Sequence, residues 1–214
     1  MPAKSKTAHF TKRGNHFGNL WSVYSLKINQ PMRLGSDRLL AHWLLRLEFS
    51  SAVISFRFGP SAESTFSDVP DGIEYHFKVE PADGAIELHY LRTEGHSLDY
   101  ADKIKYAARF NYKYIEFNDE DLIPAKEKIL PLLKLASFLN GGRHVYIPPH
   151  LRDAAENYIS NNRRGVLGSF VSSLSNFDSN LCLLMFCRMY SERTIDVDFE
   201  SNFFSRSTMW WKHE

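Results

Sequence analysis

Between residues 37 and 49 apolar side chains return every three or four positions, at Leu39, Leu40, Trp43, Leu44 and Leu47. That spacing lines one face of an amphipathic helix. Ser36 or Asp37 is suited to cap its first turn, and Ser50-Ser51 ends it. The period then shortens. Residues 53–58, 73–80 and 85–92 read as strands. In the last of these, Ile86, Leu88 and Tyr90 alternate with Glu87 and His89, and Leu91 falls on the polar side. Pro81-Ala82-Asp83-Gly84 supplies a hairpin turn ahead of it. A helix over 98–110, capped by Ser97, and a strand over 112–117 complete the order helix, three strands, helix, strand.

Beyond Leu122 the pattern turns helical, over 126–139, 151–159, 165–175 and 178–190, with breaks at Gly141-Gly142, Pro148-Pro149 and Asn161-Asn162. The final stretch, ERTIDVDFESNFFSRSTMWWK, reads as a strand, a turn or helical step, and a second strand. Helices closing on a β-wing suggest a winged-helix-like domain. The aromatic residues Phe199, Phe203, Phe204, Trp210 and Trp211 suit core packing or a partner surface. Adjacent Trp210 and Trp211 cannot both face inward on a strand, because successive side chains alternate. The expected organisation is a basic arm at 1–19, a first domain at 20–122 and a second at 123–214.

Charge alters this picture only locally. Across 214 residues, 26 Lys and Arg face 25 Asp and Glu, a net charge of +1, so the whole chain gives no electrostatic argument for a polyanion. Clusters do: Lys4, Lys6, Lys12 and Arg13 in the arm, Lys27 and Arg33 ahead of the first helix, and Arg163-Arg164 ahead of a later one. Cations near helix N-termini suit phosphate contact, and ordinary solvated charge is the competing reading. Lys12, Arg13, Lys27, Arg33, Arg163 and Arg164 are the DNA-contact candidates.

Hydrophobic residues make up 43% of the chain, enough for packed cores. No apolar run approaches the ~18 residues of a membrane span. The first residues, MPAKSKTAHFTKRGNHFG, lack the apolar stretch of a secretory signal. Cys182 and Cys187 have neither CxxC nor zinc spacing and are expected as buried free thiols. A cytoplasmic protein with no membrane partner is expected. No Walker-type glycine loop is present, so ATP is not implied.

One segment carries a resemblance. Residues 20–60 contain Ser25-Leu26-Lys27, Arg33, Leu47-Glu48-Phe49, Val53, Phe56 and Pro60. This succession resembles the opening of the TnsA-like endonucleases, which act beside a DDE transposase in heteromeric transposons. Residues 103–122 are similar to the family's Ala-rich helix, Gly-Tyr strand and acidic turn. Thr194, Asp196-Val197-Asp198-Phe199 and Ser207-Thr208-Met209 resemble its C-terminal end. The resemblance implies a restriction-endonuclease-like αβββαβ core followed by a winged-helix-like domain. It also implies DNA, a DDE-type transposase and an ATPase regulator as partners.

The family's chemistry needs a helical Glu, a strand Asp and a Glu-x-Lys element, whose carboxylates hold Mg²⁺ to activate water and stabilise the scissile phosphate. Those positions fall on Leu40, on Lys78, and on Tyr90 and Arg92. Leucine and tyrosine offer no carboxylate, and a cation at Lys78 repels Mg²⁺. Arg92 keeps a positive charge without lysine's adjustable pKa.

Substitute acids are Asp37, one turn before Leu40, Glu74 or Glu80, which share Lys78's side of a strand, and Glu87, paired with His89 as Glu-x-His. Glu48 lies ~12 Å along the helix from Leu40, too far to share its metal. The expectation is a non-cleaving accessory protein of a mobile element that needs no cofactor and binds DNA, a transposase or a regulator. Two alternatives stand beside it: an active Mg²⁺-dependent endonuclease with relocated carboxylates, and a non-enzymatic interaction module.

Overall fold

The computed structural model describes residues 21–34, 38–58, 69, 72–198 and 204–213. Lys12, Arg13 and Asp37 lie outside these residues, as does the side chain of Arg33. The chain divides into two compact units, Met1–Pro124 and Ala125–Glu214. Both sheets and helices are present, so the fold is mixed α/β.

The first unit opens on an antiparallel hairpin, β1 (Trp21–Ser25) and β2 (Gln30–Leu34), to which the periodicity assigns nothing. Helix α1 (Arg38–Phe49), strands β3 (Val53–Phe58), β4 (Phe77–Pro81) and β5 (Glu87–Leu91), helix α2 (Tyr100–Ala108) and strand β6 (Lys113–Phe117) follow. The sheet runs β3-β4-β5-β6, antiparallel except for the parallel β5–β6 pair that α2 connects. Its two faces bury separate cores. Phe56, Phe77, Val79 and Leu91 meet Leu39, Leu40, Trp43, Leu44 and Leu47 of α1. On the other face Leu88 and Tyr114 pack with Ala107, Tyr112, Val69 and Ile73.

The second strand starts at Phe77, later than the expected residue 73. Gly72 sits at φ 93°, where only glycine is unstrained, and Ile73 is buried in the second core without pairing. Ladder pairing begins where Phe77 opposes His89. Burial without pairing gave those residues a strand-like composition.

Helix α1 is locked at its C-terminal end. Glu48 accepts from Ser25 Oγ at 2.5 Å, Leu26 N at 2.8 Å and Lys27 N at 2.9 Å. Lys27 Nζ donates to the carbonyls of Leu47, Ser50 and Val53 at 2.7, 2.8 and 2.9 Å. The last carbonyls of a helix lack internal partners and carry partial negative charge, so an ammonium satisfies both needs. One carboxylate and one ammonium thereby join the hairpin turn, the end of α1 and the start of β3. After β6, Asn118 and Asp121 form a capping box that opens the short helix α3 (Asp119–Leu122), using the acidic run at its N-terminus.

The second unit contains α4 (Lys126–Gly141), α5 (Pro149–Asn162), β7 (Arg164–Val166), α6 (Leu167–Ser173), α7 (Ser179–Ser191), β8 (Ile195–Val197) and β9 (Met209–Lys212). Its antiparallel sheet runs β7-β9-β8. The single helix expected at 165–175 is instead a strand followed by a helix. Gly165 opposes Trp210, and a Cβ there would stand 3.1 Å from the indole, so this glycine lets β7 close on β9. Cys182 and Cys187 are free and buried, and burial pushes the Cys187 thiol up to about 12. Trp210 is fully enclosed while Trp211 is 44% exposed, as strand alternation requires.

Glu48→Ala strands three donors at the hairpin turn. It should lower stability by about 2–3 kcal/mol, the range for hydrogen bonds to a charged group. Urea unfolding checks this, and Glu48→Gln, which keeps one acceptor oxygen, should lose less.

Candidate functional site

Strand register decides which expected site residues can meet. Lys78 opposes Leu88 and Phe77 opposes His89. Lys78, Glu80 and Tyr90 therefore lie on one face of the sheet, and Glu87 and His89 on the other, toward α1. Leu40 is fully buried in the α1 core, so the helical carboxylate position is a packing position.

Lys78, Tyr90, Arg92 and Glu80 each have a structural neighbour. Lys78 places its ammonium 5.5 Å from the centre of the Tyr112 ring. Tyr90 stacks on His76 at 4.4 Å, and Arg92 Nε donates to the carbonyl of Glu94 at 3.4 Å. Glu80 accepts from Ser55 Oγ at 2.7 Å, and Glu74 is exposed ahead of β4. Glu80 and Glu87, which sit on opposite faces, cannot share a cation.

The Glu-x-His pair does come together, but as part of a closed chain of hydrogen bonds. Trp43 Nε1 donates to His89 Nδ1 at 3.2 Å. An indole can only donate, so Nδ1 is unprotonated and Nε2 carries the proton. Nε2 then donates to Glu87 Oε2 at 2.8 Å, while Lys113 Nζ donates to Glu87 Oε1 at 2.7 Å.

His89 is 3% exposed, with Trp43 and Phe117 edge-on to its ring at 5.4 and 4.9 Å. Burial lowers its pKa, with Arg46 and Lys113 adding to the effect and Glu87 opposing it. For Glu87 burial works upward, but the bonds from Lys113 and His89 prevail and hold its carboxyl below the ordinary range. Both imidazole nitrogens and both carboxylate oxygens are committed. Among the described residues no group of three or more His, Cys, Asp or Glu is placed to hold a metal. The sequence marks Glu87 and His89 as a pair; it gives no sign of Trp43, which reaches them from α1.

The opposite face carries a polar cluster that alternation alone hides. Glu116 is buried on β6 and accepts from Ser97 N at 2.6 Å, Ser97 Oγ at 2.5 Å and Tyr114 Oη at 3.2 Å. Lys103 Nζ and His96 Nδ1 each stand 3.9 Å from its carboxylate. Burial first, and Glu116 second, push the Tyr114 phenol well above its usual range. These bonds pin the segment before α2 to β6.

In the second unit, Asn162, Arg163, Arg164, Asp196, Trp211, Lys212 and His213 line an open groove of about 750 Å³. Arg164, Trp211 and Asp196 form one row across the sheet. Lys212 N donates to the Arg163 carbonyl at 2.6 Å, and His213 Nδ1 donates to Asp196 Oδ2 at 2.8 Å. Of the cations expected to contact DNA, Arg163 and Arg164 are exposed and adjacent here. Lys27 is not in such a position, because its ammonium is held by the three carbonyls at the end of α1. Trp211 belongs to the aromatic group that the sequence offers for core packing or a partner surface, and alternation sends it outward; Lys212 beside it has no such signal in the sequence. Helix α7 buries Cys182, Leu184, Met185, Phe186, Cys187 and Met189, and its Arg188 donates to the carbonyls of Gly142 and Val145 at 3.0 and 2.9 Å.

Neither protein-family models nor curated proteins give a match to this chain. Among the described residues no helix is long and apolar enough to cross a membrane.

Two outcomes are expected. Leu40→Glu, which puts a carboxyl where the resemblance would place a helical glutamate, should lower stability by on the order of 3–5 kcal/mol through an uncompensated buried charge. Thermal melts with and without Mg²⁺ should show no metal-dependent recovery. The second concerns pH. The folded state lowers the His89 pKa below the unfolded value of 6.5, so its contribution is complete above that pH and is lost as pH falls below it. Urea midpoints should drop between neutral and mildly acidic pH, and His89→Phe should reduce that drop.

Proposed function

We propose that this chain is a TnsA-like accessory protein of a mobile element, a nuclease-like scaffold that does not cleave and acts by binding DNA together with a DDE transposase or its regulator. The observation that carries the reading is the Trp43–His89–Glu87–Lys113 chain on the α1 side of the sheet. The only carboxylate in that chain is bonded on one oxygen by a lysine and on the other by a histidine, and Leu40 fills the helical position with core. A metal at Glu87 would compete with an imidazole N–H and be repelled by the Lys113 ammonium 2.7 Å from the carboxylate.

Two further features support it. Helix, three strands, helix, strand, with antiparallel pairs and a final parallel pair, fits a restriction-endonuclease-like core. The succession from α5 to β9, with sheet order β7-β9-β8, fits a winged helix. Ser25, Lys27 and Glu48, which carry much of the resemblance, bond to one another or to the ends of the same helix. Their co-occurrence therefore has a folding reason that does not require catalysis. DNA affinity falls to exposed cations such as Arg163 and Arg164, whose phosphate contacts release counterions.

The test is plasmid nicking with Mg²⁺ or Mn²⁺, alone and with a DDE transposase, alongside mobility shifts at increasing salt. No nicking is expected, with binding that weakens as salt rises. Arg163→Ala and Arg164→Ala should each flatten the salt slope by about 1. Metal-dependent nicking that Glu87→Ala or Glu80→Ala abolishes would overturn the reading in favour of an active endonuclease. The absence of any DNA binding would leave a protein-interaction module.

A further inference from the structure

We propose that the groove beside β9 binds single-stranded nucleic acid, with Trp211 stacking on an unpaired base while Arg163, Arg164 and Lys212 hold the flanking phosphates. This rests on the DNA-binding reading above and narrows it to an unpaired strand.

The first argument is the pair of adjacent tryptophans. Trp210 is fully enclosed, whereas Trp211 is 44% exposed on the outer face of the same strand, beside the equally exposed Met209. No ring among the described residues stacks on Trp211. An indole face left open within a cationic groove is a platform on which any base can stack.

The second argument is charge. Three cations line the groove, and among the described residues none of them pairs with a carboxylate. The one acid in the lining, Asp196, is already bonded to His213 at 2.8 Å. The groove is therefore positive within a chain whose net charge is only +1. Its volume of about 750 Å³ suits a small ligand or a short piece of a chain rather than a helix.

The third is backbone strain. Arg163 caps α5 in the left-handed region at φ 56°, a position that glycine or asparagine fills at lower cost. The carbonyl of Arg163 receives Lys212 N at 2.6 Å, so this turn joins the end of α5 to the end of β9 and brings the two cations into one lining. With arginine rather than glycine at this cap, the turn carries a guanidinium into the lining.

Stacking separates an unpaired strand from a duplex. In a duplex the base faces are already stacked on one another, and phosphate contacts alone would make no use of Trp211. Unpaired bases offer their faces freely.

The experiment uses the full chain and fluorescence anisotropy with a labelled oligo-dT, its oligo-rU counterpart and a duplex of equal length, at one fixed salt concentration. Unpaired strands should bind more tightly than the duplex. Trp211→Ala should weaken oligo-dT binding roughly tenfold or more, with little change for the duplex, and Trp211→Phe should restore most of the loss. Arg163→Gly should keep or raise the melting temperature while weakening every strand, which separates binding from folding. A tighter complex with oligo-rU than with oligo-dT would make RNA the ligand; the reverse would make it DNA. If Trp211→Ala leaves oligo-dT affinity unchanged, or if the duplex binds more tightly, the inference falls while salt-sensitive duplex binding keeps the broader reading. If no nucleic acid binds, both fall.

Discussion

Glu48 and Lys27 stand back to back at the end of α1, one gathering donors from the hairpin turn and the other gathering carbonyls from the helix and the start of β3. Each satisfies groups that would otherwise be left unpaired in a partly buried place. Lys27 contributes its backbone amide to Glu48, and the Leu47 carbonyl beside Glu48 receives the Lys27 ammonium. This fixes where α1 leaves off and β3 begins. The position of Trp43 over the sheet, and with it the direction of the His89–Glu87 hydrogen bonds, depends on that placement.

On the α1 side, polarity runs one way. Indole to imidazole to carboxylate runs from the buried layer outward, and an exposed lysine on β6 meets the carboxylate at its outer end. The buried imidazole uses both its nitrogens in this chain, and the lysine on the carboxylate opposes a second cation there. The other face uses the same economy around Glu116, where a serine, its own backbone amide and a tyrosine converge on one carboxylate. The buried acids of this unit act as fasteners between strands and loops.

Periodicity read the elements well where apolar side chains repeat over a full helix or strand, as in α1 and β3, whose residues match their expected ranges closely. It failed where burial and pairing separate. Ile73 is apolar and enclosed yet unpaired, and β7 is three residues whose identity depends on Trp210, far along the chain. The β1–β2 hairpin was invisible because Glu48, 23 positions after Ser25, supplies the acceptors for its turn. The candidate sites divide the same way. Glu87 with His89 and Arg163 with Arg164 are close in sequence and could be seen as pairs. Trp43, Lys113, Trp211 and Lys212 join them only through packing and register.

The fastening at the end of α1 is made from Ser25, Lys27, Glu48 and main-chain groups. No part of it depends on which side chain occupies position 40, 78 or 90. The residues at those three places can therefore change without disturbing this joint, while Ser25, Lys27 and Glu48 stay in place. Sequence likeness at this joint therefore reports how α1 and β3 are tied together, and says nothing about the chemistry of the residues at positions 40, 78 and 90.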